Sequence, residues 1–175
     1  WAAGVPIDGV PVNTTPARVI NLSLGGFGPC DSAIQEAVDT ALAQGAVIVA
    51  SAGNQSDLAA NYAPGNCGGV INVGAVGRGA DLASYSNFGS RVDIVAPGGD
   101  SDAAHDDAGL MVSTFNDGTT VPGGPAYGVG AGTSFSAPMV SGTVSLMLSR
   151  NVNLTAGRVL SILTGSTRDI ASGTR

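Results

Sequence analysis

Four short runs rich in β-branched residues follow one another through the chain: Val19 to Leu24, Ala46 to Ala52, Val70 to Val76 and Val92 to Ala96. Each is apolar almost without interruption, a pattern that suits strands covered on both faces. Between the first two runs, Ser32-Ala33-Ile34-Gln35 has the spacing of a capping box. Ile34, Val38, Ala41 and Leu42 then share one helical face, and Gly45 stops the helix. Strand, helix and strand in this order predict a right-handed crossover between parallel strands. The fold class read from the sequence is α/β, a mostly parallel sheet sandwiched by helices.

Beyond Pro97 the chain turns to Gly, Asp, Ser and Pro until about Gly132, with only Met111 to Phe115 strand-like. A stretch of that length reads as a functional surface region. Ser134 to Ser149 is expected to be a helix, in which Ser136, Ala137, Ser141, Gly142 and Ser145 accompany Val140, Val144, Met147 and Leu148. Small side chains on nearly every face mark a tightly packed central helix. Thr155 to Leu163 predicts a last amphipathic helix with Val159, Leu160, Ile162 and Leu163 turned inward.

Composition removes several functions. The 175 residues are one domain at most, with 1–175 read as a single unit. All seven cations are scattered arginines within a net charge of −6, so no basic stripe can neutralise phosphates and nucleic acid is excluded as a partner. No apolar run reaches the roughly 18 residues of a membrane-spanning helix. Cys30 and Cys67 are compatible with one disulfide or with two buried thiols. A bridge would add about 4 kcal/mol in the chain-entropy account and imply an oxidising compartment.

Three segments could carry chemistry. In Gly132-Thr133-Ser134-Phe135-Ser136-Ala137-Pro138, a glycine-rich loop turns into the small-residue helix, with Ser134 in its first turn. Backbone N–H groups there lack intrahelical acceptors and the helix dipole favours negative charge, so a developing oxyanion would be stabilised. The plain alternative is a Thr or Ser cap followed by a first-turn Pro. Ser51-Ala52-Gly53-Asn54 ends the most apolar run, where α/β sheets bind ligands and a side-chain amide can donate to an oxyanion, although Gly-Asn is also ordinary turn chemistry. Asn21-Leu22-Ser23-Leu24-Gly25-Gly26 ends another strand with backbone able to pair with an extended peptide.

Taken together and in order, these segments resemble the subtilisin-like serine proteases over nearly the whole chain. The spacers Gly74-Ala75-Val76, Tyr85-Ser86-Asn87-Phe88-Gly89 and Ala96-Pro97-Gly98 fall in the family's order too. The resemblance implies the family's three-layer fold, with Ser134 as nucleophile and its N–H joining the Asn54 amide in the oxyanion hole. It also implies that Ser23, Leu24, Gly25 and Gly26 bind substrate backbone and line one wall of the S1 pocket, opposite Ala52 and Gly53. No charge on either wall dictates a preference. The acidic, cysteine-containing pattern looks most like secreted, extracellular bacterial members, in which Cys30 and Cys67 would form a disulfide bracketing the pocket. A structural calcium ion is implied on the Asp93 carboxylate and the carbonyls of Gly68 and Val70.

A serine nucleophile needs a histidine base oriented by a carboxylate. The family order is Asp, His, Ser, whereas the single His105 lies in the acidic stretch Asp100 to Asp107 after the core strands. That stretch matches no EF-hand spacing and reads as a solvated loop. The chain is therefore expected to be the C-terminal part of a catalytic domain. It would be inactive alone and dependent on an N-terminal part carrying Asp and His, with polypeptides as substrates. Sedolisin-like peptidases share a Gly-Thr-Ser motif but use an aspartate in the oxyanion role, against which Asn54 argues. The remaining alternative is a non-catalytic peptide-binding or assembly module.

Overall fold

The computed structural model of the protein describes residues 1–100 and 109–170. In chain order the elements are β1 (Val19–Leu22), β2 (Gly26–Phe27), α1 (Ser32–Ala43), β3 (Val47–Ser51), a short 3-10 turn, β4 (Tyr62–Ala63), β5 (Ile71–Val76), β6 (Ile94–Pro97), β7 (Met111–Asn116), β8 (Pro125–Gly130), α2 (Thr133–Arg150) and α3 (Ala156–Ser166). Strands β1, β3, β5 and β6 lie side by side as one parallel sheet, the α/β arrangement expected from the uninterrupted apolar runs.

Strand β3 explains why those runs do not alternate. Val47 and Val49 join a cluster with Ala137, Val140, Val144 and Leu148 of α2 and Val159 and Leu163 of α3. Ile48 and Ala50 point the other way, into a cluster with Val38 and Ala41 of α1 and with Cys67 and Val70. Both faces of the strand are thus covered by apolar side chains, of which each Val, Ile or Leu is worth about 1.5–3 kcal/mol when fully buried. Strand β1 departs from the expectation of two-sided burial. It is an edge strand, half-buried, with Asn21 exposed.

Three local expectations need correction. Asp31, not Ser32, caps α1, accepting the Ile34 N–H at 2.9 Å. Gln35, read as the partner in the capping box, instead clasps Gly68, accepting its N–H at 2.8 Å and donating to its carbonyl at 3.1 Å. The stretch before Gly132, read as strand-like only at Met111 to Phe115, holds a second strand, since β8 pairs with β7 through Tyr127 and Val129. A Cβ on Gly128 would lie 3.2 Å from the Phe115 ring, so glycine there accommodates a side chain packed across the hairpin.

The two last helices extend the expected spans by a few residues. Thr155 caps α3 by accepting the Arg158 N–H at 3.3 Å. Val159 and Leu163 are buried, while Leu160 and Ile162 are half-buried.

Candidate active site

Helix α2 begins without a capping side chain of its own. Its N-cap is Gly132 at φ +155°, where a Cβ would crowd the Asn54 amide nitrogen at 3.3 Å. The cap comes from across the cleft: Asn54 Oδ1 accepts the Thr133 N–H at 2.9 Å and the Thr133 hydroxyl at 2.8 Å. Thr133 Oγ1 in turn accepts the Gly53 N–H at 3.2 Å. These contacts join the end of β3 to the start of α2 and correct the reading of a Thr or Ser cap.

Pro138 lies inside α2, in its second turn, not at its start. Lacking an N–H, it leaves the Ser134 carbonyl without its helical donor. The Ser23 hydroxyl supplies that bond at 2.8 Å. Ser23 Oγ also accepts from Asn21 Nδ2 at 2.9 Å, and Asn21 Oδ1 accepts the Ser141 hydroxyl at 2.9 Å. A helix irregularity thereby fixes the end of β1 against the residue that carries the candidate nucleophile. The Ser134 hydroxyl donates over 3.4 Å to the Ser23 carbonyl, a long bond that holds it weakly.

The loop bearing Asn54 is organised from beneath by Asn87, which is fully buried. Asn87 Nδ2 donates to the Ala52 carbonyl at 2.8 Å, and its Oδ1 accepts the N–H groups of Gln55 at 2.9 Å and Asp57 at 3.1 Å. With Asn54 Oδ1 engaged by Thr133, the Asn54 amide nitrogen is the end of that group left for a ligand. The Ser134 N–H, in the first helical turn, has no intrahelical acceptor.

Ser134 and Asn54 line one cavity of about 220 Å³ together with Ser23, Leu24, Gly25, Ser51, Gly53, Gln55 and Tyr62. Of the expected wall residues, Ala52 is fully buried behind the wall. Gly26 pairs with Ala63 between β2 and β4 and does not line the cavity. Ser51, Gln55 and Tyr62 were not legible as wall residues. Tyr62 reaches the cleft because β2 and β4 pair, an arrangement of two-residue strands that leaves no periodicity to read. Its ring packs edge-on against Phe27, and its hydroxyl donates to Asp57 at 3.2 Å. Burial, then the hydrogen bond and charge of Asp57, push the Tyr62 phenol above its ordinary pKa. A larger cavity, about 1130 Å³, lies by β6 and the end of α3 and includes neither Ser134 nor Asn54. Chemistry rather than size therefore selects the smaller one.

Cys30 and Cys67 form a disulfide across a separation of 37. The three residues expected around calcium are engaged by two side chains, Gln35 and Arg91. Gly68 is held by Gln35, while the Asp93 carboxylate and the Val70 carbonyl both receive Arg91. His105, Asp102, Asp106 and Asp107 lie outside the described residues. Asp100 is described, and its carboxylate accepts the N–H and hydroxyl of Ser84.

The Subtilase family model of peptidases matches residues 7–173. An extracellular protease of Xanthomonas campestris pv. campestris is 41% identical over 149 residues, which are 85% of this chain and 24% of that protein. An extracellular basic protease of Dichelobacter nodosus is also 41% identical, over 85% of this chain and 23% of its own. The chain thus spans about a quarter of the length of these curated relatives. A solved protease structure from Pseudoalteromonas arctica superposes with a TM-score of 0.92 at 45% identity, covering 97% of this chain and 50% of that one.

Proposed function

The chain belongs to the subtilase family of serine proteases, and from that membership we propose that it contributes the nucleophile and oxyanion site of a secreted serine endopeptidase. The observation that carries this reading is the meeting of Ser134 and Asn54 at one cavity, with the N–H of one and the amide nitrogen of the other available for an oxyanion.

In this reading Ser134 Oγ attacks the carbonyl carbon of a polypeptide. Its proton passes to a histidine imidazole, and the tetrahedral oxyanion accepts from the Ser134 N–H and Asn54 Nδ2. The leaving amine takes the proton from the histidine as the acyl-enzyme forms, and water then releases the acyl group. Leu24 and Tyr62 shape the apolar part of the cavity beside Ser23, Gly25 and Gly53.

The histidine and its aspartate come from polypeptide outside these 175 residues, and the chain by itself does not hydrolyse peptides. The open edge of β1 and the exposed Met139 and Leu146, two turns apart on α2, offer that polypeptide a sheet edge and an apolar helix face. The names of the two extracellular relatives support secretion. No helix among the described residues is long and apolar enough to cross a membrane.

The test is reaction with a serine-directed fluorophosphonate, followed by denatured intact mass and peptide mapping. An adduct on Ser134 beside a companion polypeptide supports the assignment. Robust peptide hydrolysis by the 175-residue chain alone overturns the dependence on outside residues, and an adduct on another serine overturns the nucleophile.

A further inference from the structure

We propose that the guanidinium of Arg91 is the resident cation of the Asn66 to Asp93 site and takes the place of the calcium ion implied there by family resemblance. The segment from Asn66 to Val70 connects the cavity wall at Tyr62 to β5 and carries one half of the disulfide. Its carbonyls turn toward Arg91. Nε donates to the Asn66 carbonyl at 3.4 Å, Nη2 donates to the carbonyls of Cys67 and Val70, and Nη1 meets Asp93 Oδ2 at 3.3 Å.

Each partner is an oxygen, as calcium would require, but the arrangement is that of a planar fork of donors. Calcium takes six to eight oxygens at about 2.3–2.6 Å from one central point. Here two of the expected donors, the Asp93 carboxylate and the Val70 carbonyl, are already taken by Arg91. Gly68 is clasped by Gln35, and Asp93 Oδ2 also accepts the Asn72 N–H at 2.8 Å. One guanidinium balances the single Asp93 carboxylate. A divalent ion would bring two positive charges beside Arg91 or require its expulsion. Among the described residues no group of three or more His, Cys, Asp or Glu side chains gathers that could compensate.

The backbone fixes this substitution. Asn72 Nδ2 donates to the Arg91 carbonyl at 3.0 Å, and the Asp93 N–H donates to the Asn72 carbonyl at 2.9 Å. The segment that delivers both charges is therefore registered on β5, and the side chains of Arg91 and Asp93 are only 25% and 19% exposed. The consequence is a cleft wall whose order does not depend on calcium.

Hydrogen exchange, read at the amides of residues 66–72 in the protein as purified with any companion polypeptide, isolates this site from calcium bound elsewhere. We expect equal protection with calcium in excess and with calcium chelated. Exchange accelerated tenfold or more by chelation overturns the proposal. Arg91→Met keeps the aliphatic stem, and the Asn72 amide should then exchange on the order of tenfold faster in calcium-free buffer. Unchanged protection in that variant overturns it. Should the variant not fold, a terbium-soaked crystal of the unaltered protein decides. Terbium on Asp93 with Arg91 swung away overturns the proposal, and Arg91 in place with no metal on Asp93 sustains it. The outcome does not depend on peptidase activity.

Discussion

The two sides of the cleft are finished to different degrees. On the Asn54 side, every polar group that sets the amide has an internal partner: Thr133 fixes its oxygen, and Asn87 fixes the loop from below. On the Ser134 side, the backbone is just as firmly held, through Ser23 and Asn21, yet among the described residues the hydroxyl itself makes one long bond to a carbonyl. A carbonyl can accept a proton's hydrogen bond but cannot remove the proton. The difference separates the two tasks of acyl transfer. In the proposed function, oxyanion stabilisation falls to groups that this chain holds in place, and activation of the nucleophile falls to a histidine supplied from outside it.

Replacing the nucleophile breaks the comparison most severely. Ser134→Ala in the active assembly should lower kcat by about 10⁶-fold, the loss known for the nucleophile of subtilisin, while leaving substrate affinity nearly intact. Steady-state kinetics on a peptide substrate measures this. A loss of only tenfold would remove Ser134 from the reaction.

Asn54→Ala tests the finished side. The expected loss in kcat is about 10²–10³-fold with little change in KM, again the magnitude known for subtilisin's oxyanion asparagine. This variant also strips the first turn of α2 of its cap, so thermal stability should fall by about 1 kcal/mol. Loss of stability without loss of kcat would make Asn54 a cap alone.

Much of this division was legible in the residues. The uninterrupted runs announced a two-faced sheet, because a strand such as β3 must satisfy α1 on one side and α2 with α3 on the other. Ser134 and Asn54 were singled out as candidates because glycine-flanked polar residues at strand and helix ends carry local signals, each with a plain cap or turn alternative, and the family resemblance supplied their expected roles. The supports behind them were not. Asn87 braces groups 30 to 35 positions away and Arg91 reaches carbonyls 21 to 25 positions away, and nothing local marks an asparagine or arginine as a brace. Edge position likewise escapes a single strand's pattern, which is why β1 was read as covered on both faces.

Removing the disulfide sharpens the comparison by loosening one wall of the cavity while leaving Ser134 in place. Cys30→Ser with Cys67→Ser should cost about 2–4 kcal/mol, read from denaturant unfolding. The Asn66 to Val70 segment would keep its Arg91 and Gln35 contacts, so KM should rise more than kcat falls. A drop confined to kcat would mean that the bridge acts on the nucleophile side instead.

The smallest effect concerns Tyr85, which serves the Ser134 side from below. Its hydroxyl lies 2.9 Å from the Gly98 carbonyl and 2.5 Å from that of Gly99, and the Gly98 carbonyl also accepts the Gly132 N–H at 2.9 Å, next to the start of α2. Burial foremost, with the charge of Asp100 adding to it and the Gly132 backbone opposing it, pushes the phenol from 10.0 up to about 12. Below pH 10 the phenol is protonated in both folded and unfolded chains, and its contribution to stability is fully present. Between pH 10 and about 12 the unfolded chain ionises while the folded one does not, so that contribution is lost as pH rises through the folded pKa. Tyr85→Phe should therefore flatten the alkaline fall in stability across this window and lower stability at neutral pH by about 1 kcal/mol. Denaturant melts at stepped alkaline pH measure both. An unchanged alkaline slope would detach Tyr85 from the support of α2 and leave Asn21 and Ser23 as the bracing of the nucleophile.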